Sequence, residues 1–74
     1  MYKITSPEEL GALIQQERKQ VGLRQEDLAD FCAVGRRLLI EVEKGKETAQ
    51  IGKVFTVLEG LGLSLHVVPR REEG

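Results

Sequence analysis

Apolar residues recur at helical spacing along most of this chain and change period only near residue 62. Leu10, Leu13, Ile14 and Val21 form one apolar stripe, which predicts a first helix over residues 7 to 20. Ser6-Pro7-Glu8-Glu9 marks its start: Ser6 can cap, Pro7 suits the first helical position and Glu9 completes a Ser-x-x-Glu box. Gly22 stands where the helix would close. A second helix is expected from Gln25 to about Phe31, with Glu26 and Asp27 in the first turn, where the helix dipole favours acids. Leu28 and Ala29 face inward, and the small Ala29 lets the next helix approach. After a turn at Cys32-Ala33-Val34, Gly35 occupies a cap position, and a third helix runs from Arg36 to about Lys44. Leu39 and Val42 are its core pair, and Gly45 ends it. Ile51, Val54, Phe55, Leu58 and Leu61 then signal a fourth helix, its end bracketed by Gly60 and Gly62.

Beyond that point Leu63-Ser64-Leu65-His66-Val67-Val68 alternates as a strand does, and Pro69 stops it. A lone strand leaves backbone groups unpaired on both edges, and the sequence offers no second strong strand. The simplest remedy is the same strand of a second copy across a two-fold axis. Leu63, Leu65 and Val67 would then cover the helices of both protomers and enlarge a marginal core. Pairing with residues 2 to 5 of the same chain is the alternative. The expected fold is all-α: one domain of four helices over residues 1 to 68, with a short strand near 63 to 68 pairing across a dimer. Residues 69 to 74 are expected to form a flexible tail.

Composition narrows the function. One cysteine among 74 residues excludes an internal disulfide, and Cys32 with the lone His66 cannot make a zinc site. Cys32 reads as a small buried hydrophobe, and His66 as a residue on the strand's outer face. Residues 1 to 6 hold no apolar signal core and no run reaches membrane-spanning length, so a cytoplasmic protein without membrane contact is expected. Tyr2, Phe31 and Phe55 are too few and scattered to stack bases, and packing is their expected role. No nucleophile–base pair and no phosphate-cradling glycine loop occurs, so neither an enzyme nor a cofactor is implied. The net charge of −1 counts mildly against non-specific nucleic-acid binding, but position matters more than sum. Glu8, Glu9, Glu72 and Glu73 lie near the ends, whereas Arg24, Arg36, Arg37, Lys44 and Lys46 gather at central helix starts and loops.

Two short helices joined by a tight turn, the second opening on Arg36 and Arg37, have the layout of a helix-turn-helix. There the second helix enters the DNA major groove by its N-terminal end. An arginine fork matches the O6 and N7 acceptors of guanine and is worth ~1–3 kcal/mol of discrimination. Adjacent residues point roughly 100° apart on a helix, so the two arginines take different roles. Arg37 is expected to read a base, and Arg36 to share base and phosphate contacts. Glu41, one turn on, would accept from cytosine N4 or orient an arginine. A dimer would set two third helices in successive major grooves ~34 Å apart on a palindromic double-stranded operator.

Arg18, then Gly22-Leu23-x-Gln25-x-x-Leu28-Ala29, then Ile40-x-x-Glu43-x-Gly45-Lys46 resembles the lambda-repressor-like Xre/Cro/C1-type helix-turn-helix family over roughly residues 10 to 62. Ile4-Thr5-Ser6-Pro7-Glu8-Glu9-Leu10 and Leu58-Glu59-Gly60-Leu61-Gly62-Leu63-Ser64-Leu65 narrow the resemblance to HipB-type antitoxins. Those are small DNA-binding proteins that pair with HipA-type kinase toxins, repress their own operon and dimerise through a C-terminal strand. The resemblance implies that Gln25 bonds a backbone phosphate and that Arg36, Arg37 and Glu41 face the bases. It also implies that Lys46 meets a phosphate and that Arg18 and Glu43 form a buried salt bridge between the first and third helices. Three positions depart from the pattern. Arg24 replaces a capping Thr or Ser at a cost of about 1 kcal/mol. Ala33 replaces a turn glycine, so a left-handed backbone there would be strained. Leu38 occupies a site that is usually small or polar and would meet a thymine methyl or a protein surface. The function implied is an antitoxin and autorepressor. A stand-alone phage-type or metabolic repressor, or a protein-interaction module using Leu38 and Ile40, are the alternatives.

Overall fold

Hydrogen bonds account for where the four helices of this chain stop and for where the first of them starts. The computed structural model describes residues 2–72. Within them lie α1 (Pro7–Gln20), α2 (Gln25–Cys32), α3 (Arg36–Glu43), α4 (Ile51–Gly60) and a 3-10 turn at Arg70–Glu72. At the start of α1, Ser6 Oγ accepts from the Glu9 N–H at 3.1 Å. The Glu9 carboxylate reaches back one residue further than a capping box requires, to the Thr5 N–H at 2.6 Å and the Thr5 hydroxyl. These bonds from Thr5 hold the Glu9 carboxyl below its usual range. At the start of α2 the guanidinium of Arg24 has no acceptor and makes no cap to the helix N–H groups. Asp27 instead accepts from the Arg24 backbone N–H at 3.1 Å and from Arg24 Nε at 3.1 Å. Half of a reciprocal cap survives.

The four helices close in the same way. In each, the N–H of the residue after a left-handed position reaches a carbonyl five residues back: Leu23 to Arg18, Val34 to Ala29, Lys46 to Glu41 and Leu63 to Leu58. Glycine supplies the left-handed residue in three of them, but Ala33 supplies it after α2 with φ 56° and ψ 41°. An L-residue there costs roughly 1–2 kcal/mol. Leu23, Val34 and Leu63 turn their side chains onto the core at these closures. Lys46 is the exception.

Ile14, Leu28, Ala29, Cys32, Leu39, Val42, Val54, Val57 and Leu58 form the buried core. It lies where α3 packs on α1 and α2, and where α4 packs on α2. Gly11 permits the first of these contacts: a Cβ there would stand 2.6 Å from the Glu43 carbonyl oxygen and closer still to that of Val42. No other residue fits.

Several expectations are corrected. Val21 is 60% exposed because α1 ends before its face returns to the core. In α4 the buried side is Val54, Val57 and Leu58, leaving Ile51 and Phe55 exposed. Phe55 sits roughly 100° round the helix from Val54, and in so apolar a helix the spacing does not say which side faces inward. Phe31 (73% exposed) and Tyr2 (56%) do not pack inside either. The C-terminal strand is absent from the single chain, and so is the alternative pairing with residues 2 to 5: residues 63–69 carry no regular secondary structure. Leu63 is committed to closing α4, and the rest has no neighbouring strand edge. Tyr2, Ile4, Leu65 and His66 border a shared groove but form no ladder. The 3-10 turn at Arg70–Glu72 falls in the segment expected as a tail, the end of which lies outside the described residues.

Ala33→Gly removes the Cβ penalty while adding freedom to the unfolded chain, for a net gain of about 0.5–1 kcal/mol. In a domain this small the midpoint of thermal unfolding should rise by roughly 2–8 °C, read by circular dichroism. An unchanged or lower midpoint would show that the turn carries no strain.

Candidate nucleic-acid interface

A buried ion pair positions the helices that carry the proposed DNA contacts. Arg18 leaves the last turn of α1 and Glu43 ends α3, and the two residues are 6% and 7% exposed. Arg18 Nε donates to Glu43 Oε2 at 2.7 Å and Nη2 to Oε1 at 3.1 Å. Nη1 donates to the Leu23 carbonyl at 2.8 Å, which ties the α1–α2 loop to the same guanidinium. Gln25, the first residue of α2, adds its Nε2 to Glu43 Oε1 at 3.0 Å. No buried side-chain nitrogen or oxygen among the described residues lacks a partner. Charge burial is tolerated here because both ions are fully hydrogen-bonded. Sequence reasoning pairs Arg18 with Glu43 but misses Gln25, whose apparent task lies outward, on a phosphate. In the free chain its amide N–H is turned to Glu43.

α3 begins at Gly35, which has extended backbone and no side-chain cap, so its first N–H groups are open. Arg36 and Arg37 follow on that end, both exposed. Arg37 Nε stands 3.5 Å from Glu41 Oε1, and Glu41 Oε2 also pairs with Lys46 Nζ. The hydrogen bond from Lys46, then the charges of Lys46 and Arg37, hold the Glu41 carboxyl below its usual range. Of its two expected roles, orienting an arginine is the one seen in the free chain. Leu38 is half-buried against the core rather than free in solvent. Its outer edge borders a shallow groove completed by Arg37, Glu41, Lys46, Thr48, Ala49 and Gln50. Thr48 and Gln50 were not singled out from sequence: loop polar residues carry no periodic signal. Leu65 and Val67, expected at a dimer contact, are exposed, and Leu63 is half-buried.

Other chemistry finds little footing. Cys32 is buried, and desolvation pushes its thiol up, away from nucleophilic use. No group of His, Cys, Asp or Glu among the described residues is arranged to hold a metal ion. No helix of the described chain is long and apolar enough to cross a membrane.

The tight α2–turn–α3 unit, with a polar outer helix whose N-terminus is open, is the geometry by which the motif meets DNA. A helix-turn-helix family model matches residues 14–68. The chain belongs to the helix-turn-helix family. The "uncharacterized HTH-type transcriptional regulator y4mF" of Sinorhizobium fredii is 46% identical over 66 residues, which cover 89% of this chain and 87% of that one. Among solved structures, HipB in a "HipB-O4 20mer complex" superposes with a TM-score of 0.87 at 24% identity, covering 95% of this chain and 99% of that one. A chain of a HipA-HipB-O2-O3 complex gives the same score, identity and coverage. This helix-turn-helix protein thus has the fold of HipB and is similar to an HTH-type transcriptional regulator.

Removing one ion of the buried pair strands the other. Glu43→Ala or Arg18→Ala should each cost ~3–5 kcal/mol, whereas the apolar pair Arg18→Met with Glu43→Leu should be near neutral. Urea unfolding of the three variants checks this. Single losses below about 1 kcal/mol would show that the pair is solvated in solution.

Proposed function

We propose that this regulator works as a homodimeric antitoxin that binds a palindromic operator, represses its own operon and pairs with a HipA-like kinase toxin. The observation that carries the reading is the extent of the HipB likeness. It covers 95% of this chain, about 70 of 74 residues, and so runs past the four helices into the C-terminal segment. HipB appears in that fold in a complex with HipA and in complexes with O1 to O4 sites.

In this reading Arg37 leaves its long contact with Glu41 to present a fork to guanine, and Arg36 spans base edge and phosphate. Gln25 and Lys46 fix the domain on backbone phosphates at either side of α3. Leu38 offers its exposed edge to a thymine methyl, and Glu41 lies within the same contact. Residues 63 to 68 become a strand only when a second copy supplies the edge, with Leu65 and Val67 joining Leu63 against both protomers. Two copies of α3 then stand one DNA turn apart. The setting is cytoplasmic. The second reading, a stand-alone repressor without a toxin, has its support in the 46% identical relative, whose name gives only transcriptional regulation. Co-purification from the native locus separates them, because a kinase recovered with the chain identifies the antitoxin.

Selection from a random duplex library should return a palindrome with half-sites about one turn apart. On it Arg37→Ala should lose roughly 1–3 kcal/mol of affinity while binding to unrelated duplex changes far less. Equal losses on both duplexes would reduce Arg37 to a phosphate contact. For the dimer, Leu65→Asp should convert the sedimenting species from dimer to monomer at micromolar concentration. A dimer that persists in this variant sinks the strand-pairing model.

A further inference from the structure

The end of α3 differs from the ends of the other three helices in one respect that bears on DNA. Leu23, Val34 and Leu63 close α1, α2 and α4 with apolar contacts, whereas the corresponding residue after α3 is Lys46. Its N–H bonds the Glu41 carbonyl at 3.1 Å, and its ammonium pairs with the Glu41 carboxylate. Gly45 fixes this geometry: it holds φ +86°, and a Cβ there would stand 2.6 Å from Glu8 Cα. Lys46 is thus held through its backbone N–H and paired with Glu41 through a half-exposed side chain. The other carboxylate oxygen faces Arg37 at 3.5 Å, a long contact to a side chain that is 93% exposed. Glu41 thus touches two cations of the proposed DNA face, Lys46 closely and Arg37 at 3.5 Å.

Resting on the operator-binding reading above, we infer that Glu41 is a specificity-determining positioning residue, whose carboxylate clasps Arg37 and Lys46 and withholds them from DNA of the wrong sequence. The three side chains together present one net positive charge to the phosphates instead of two. Non-specific binding depends on that charge, since each cation that neutralises a phosphate adds about 0.9 to the salt slope. A guanine placed correctly offers two acceptors in the plane of the fork, enough to replace one 3.5 Å contact. A phosphate in an unmatched complex gives Arg37 a partner only by bringing its own negative charge toward Glu41. The clasp therefore opens for the matched groove and resists the unmatched one. Exposed ion pairs contribute little to stability, so the effect falls on discrimination and not on folding.

The test compares wild-type full-length chain with Glu41→Gln on the selected operator duplex and on a random-sequence duplex, each across a salt series. Glu41→Gln should bind the random duplex roughly five- to tenfold more tightly, with a salt slope steeper by about 1. Operator affinity should rise less, so the ratio of the two falls. In an Arg37→Gln/Lys46→Gln background the same substitution should change random-duplex binding less than about twofold, because there are no cations left to release. An unchanged ratio, or an equal gain in both backgrounds, overturns the clasp and leaves Glu41 as a simple repulsive charge. Failure of the wild-type chain to select any duplex would instead strike the operator-binding reading itself. Thermal melts of each variant exclude unfolding as the cause.

Discussion

The two hydrogen-bonded contacts between Arg18 and Glu43 join the parts of the molecule that carry the proposed DNA contacts. One guanidinium reaches the end of α3 and the carbonyl of Leu23 in the loop before α2. Gln25 then binds the same carboxylate, so the first residue of α2 and the last of α3 share an anchor. The segments that would touch phosphate and base are thereby referred to a single buried charge pair. Such a pair adds little net stability over an apolar alternative. Its geometric effect is to refer α1, the loop before α2 and the end of α3 to one guanidinium.

This matters because the helices are short. α2 and α3 have eight residues each, too few to persist alone in water. α3 is ordered by packing on α1 and α2, and α2 by packing on α3 and α4, and the approach of α1 to α3 depends on the missing side chain of Gly11. The shared closure at every helix end completes the arrangement by pairing backbone groups that would otherwise be buried or left to solvent. After α2 this closure is made at the expense of strain in Ala33, so the turn between α2 and α3 is held in place by its surroundings.

Much of this was legible in the residues. Ser6-Pro7 and the spacing of Leu28, Leu39 and Val42 locate three helices, because caps and periodicity are local signals. The left-handed backbone at Ala33 follows from the need for a tight turn there. What failed depends on neighbours. The apolar faces of α4 are nearly equivalent, and only α2 decides that Val54 and not Phe55 goes inside. Residues 63 to 68 alternate as a strand does, but a strand is a property of two segments, and the chain alone provides one. The link from Gln25 to Glu43 was invisible because a glutamine at a helix start carries no mark of which way its amide turns. The same holds for Glu41, whose two possible roles differ only in what stands beside it.

The polar closure of α3 has one more effect. Three helices end on contacts that dissolved ions do not touch, but the side-chain part of this one is an exposed ion pair that ions screen. In the proposed operator complex, ionic strength would reach α3 by two routes: it would compete for the phosphates outside and weaken the side-chain pair at that helix's exit. The screened pair thus sits on the helix proposed to read DNA, while the buried Arg18–Glu43 pair beneath it is shielded from dissolved ions.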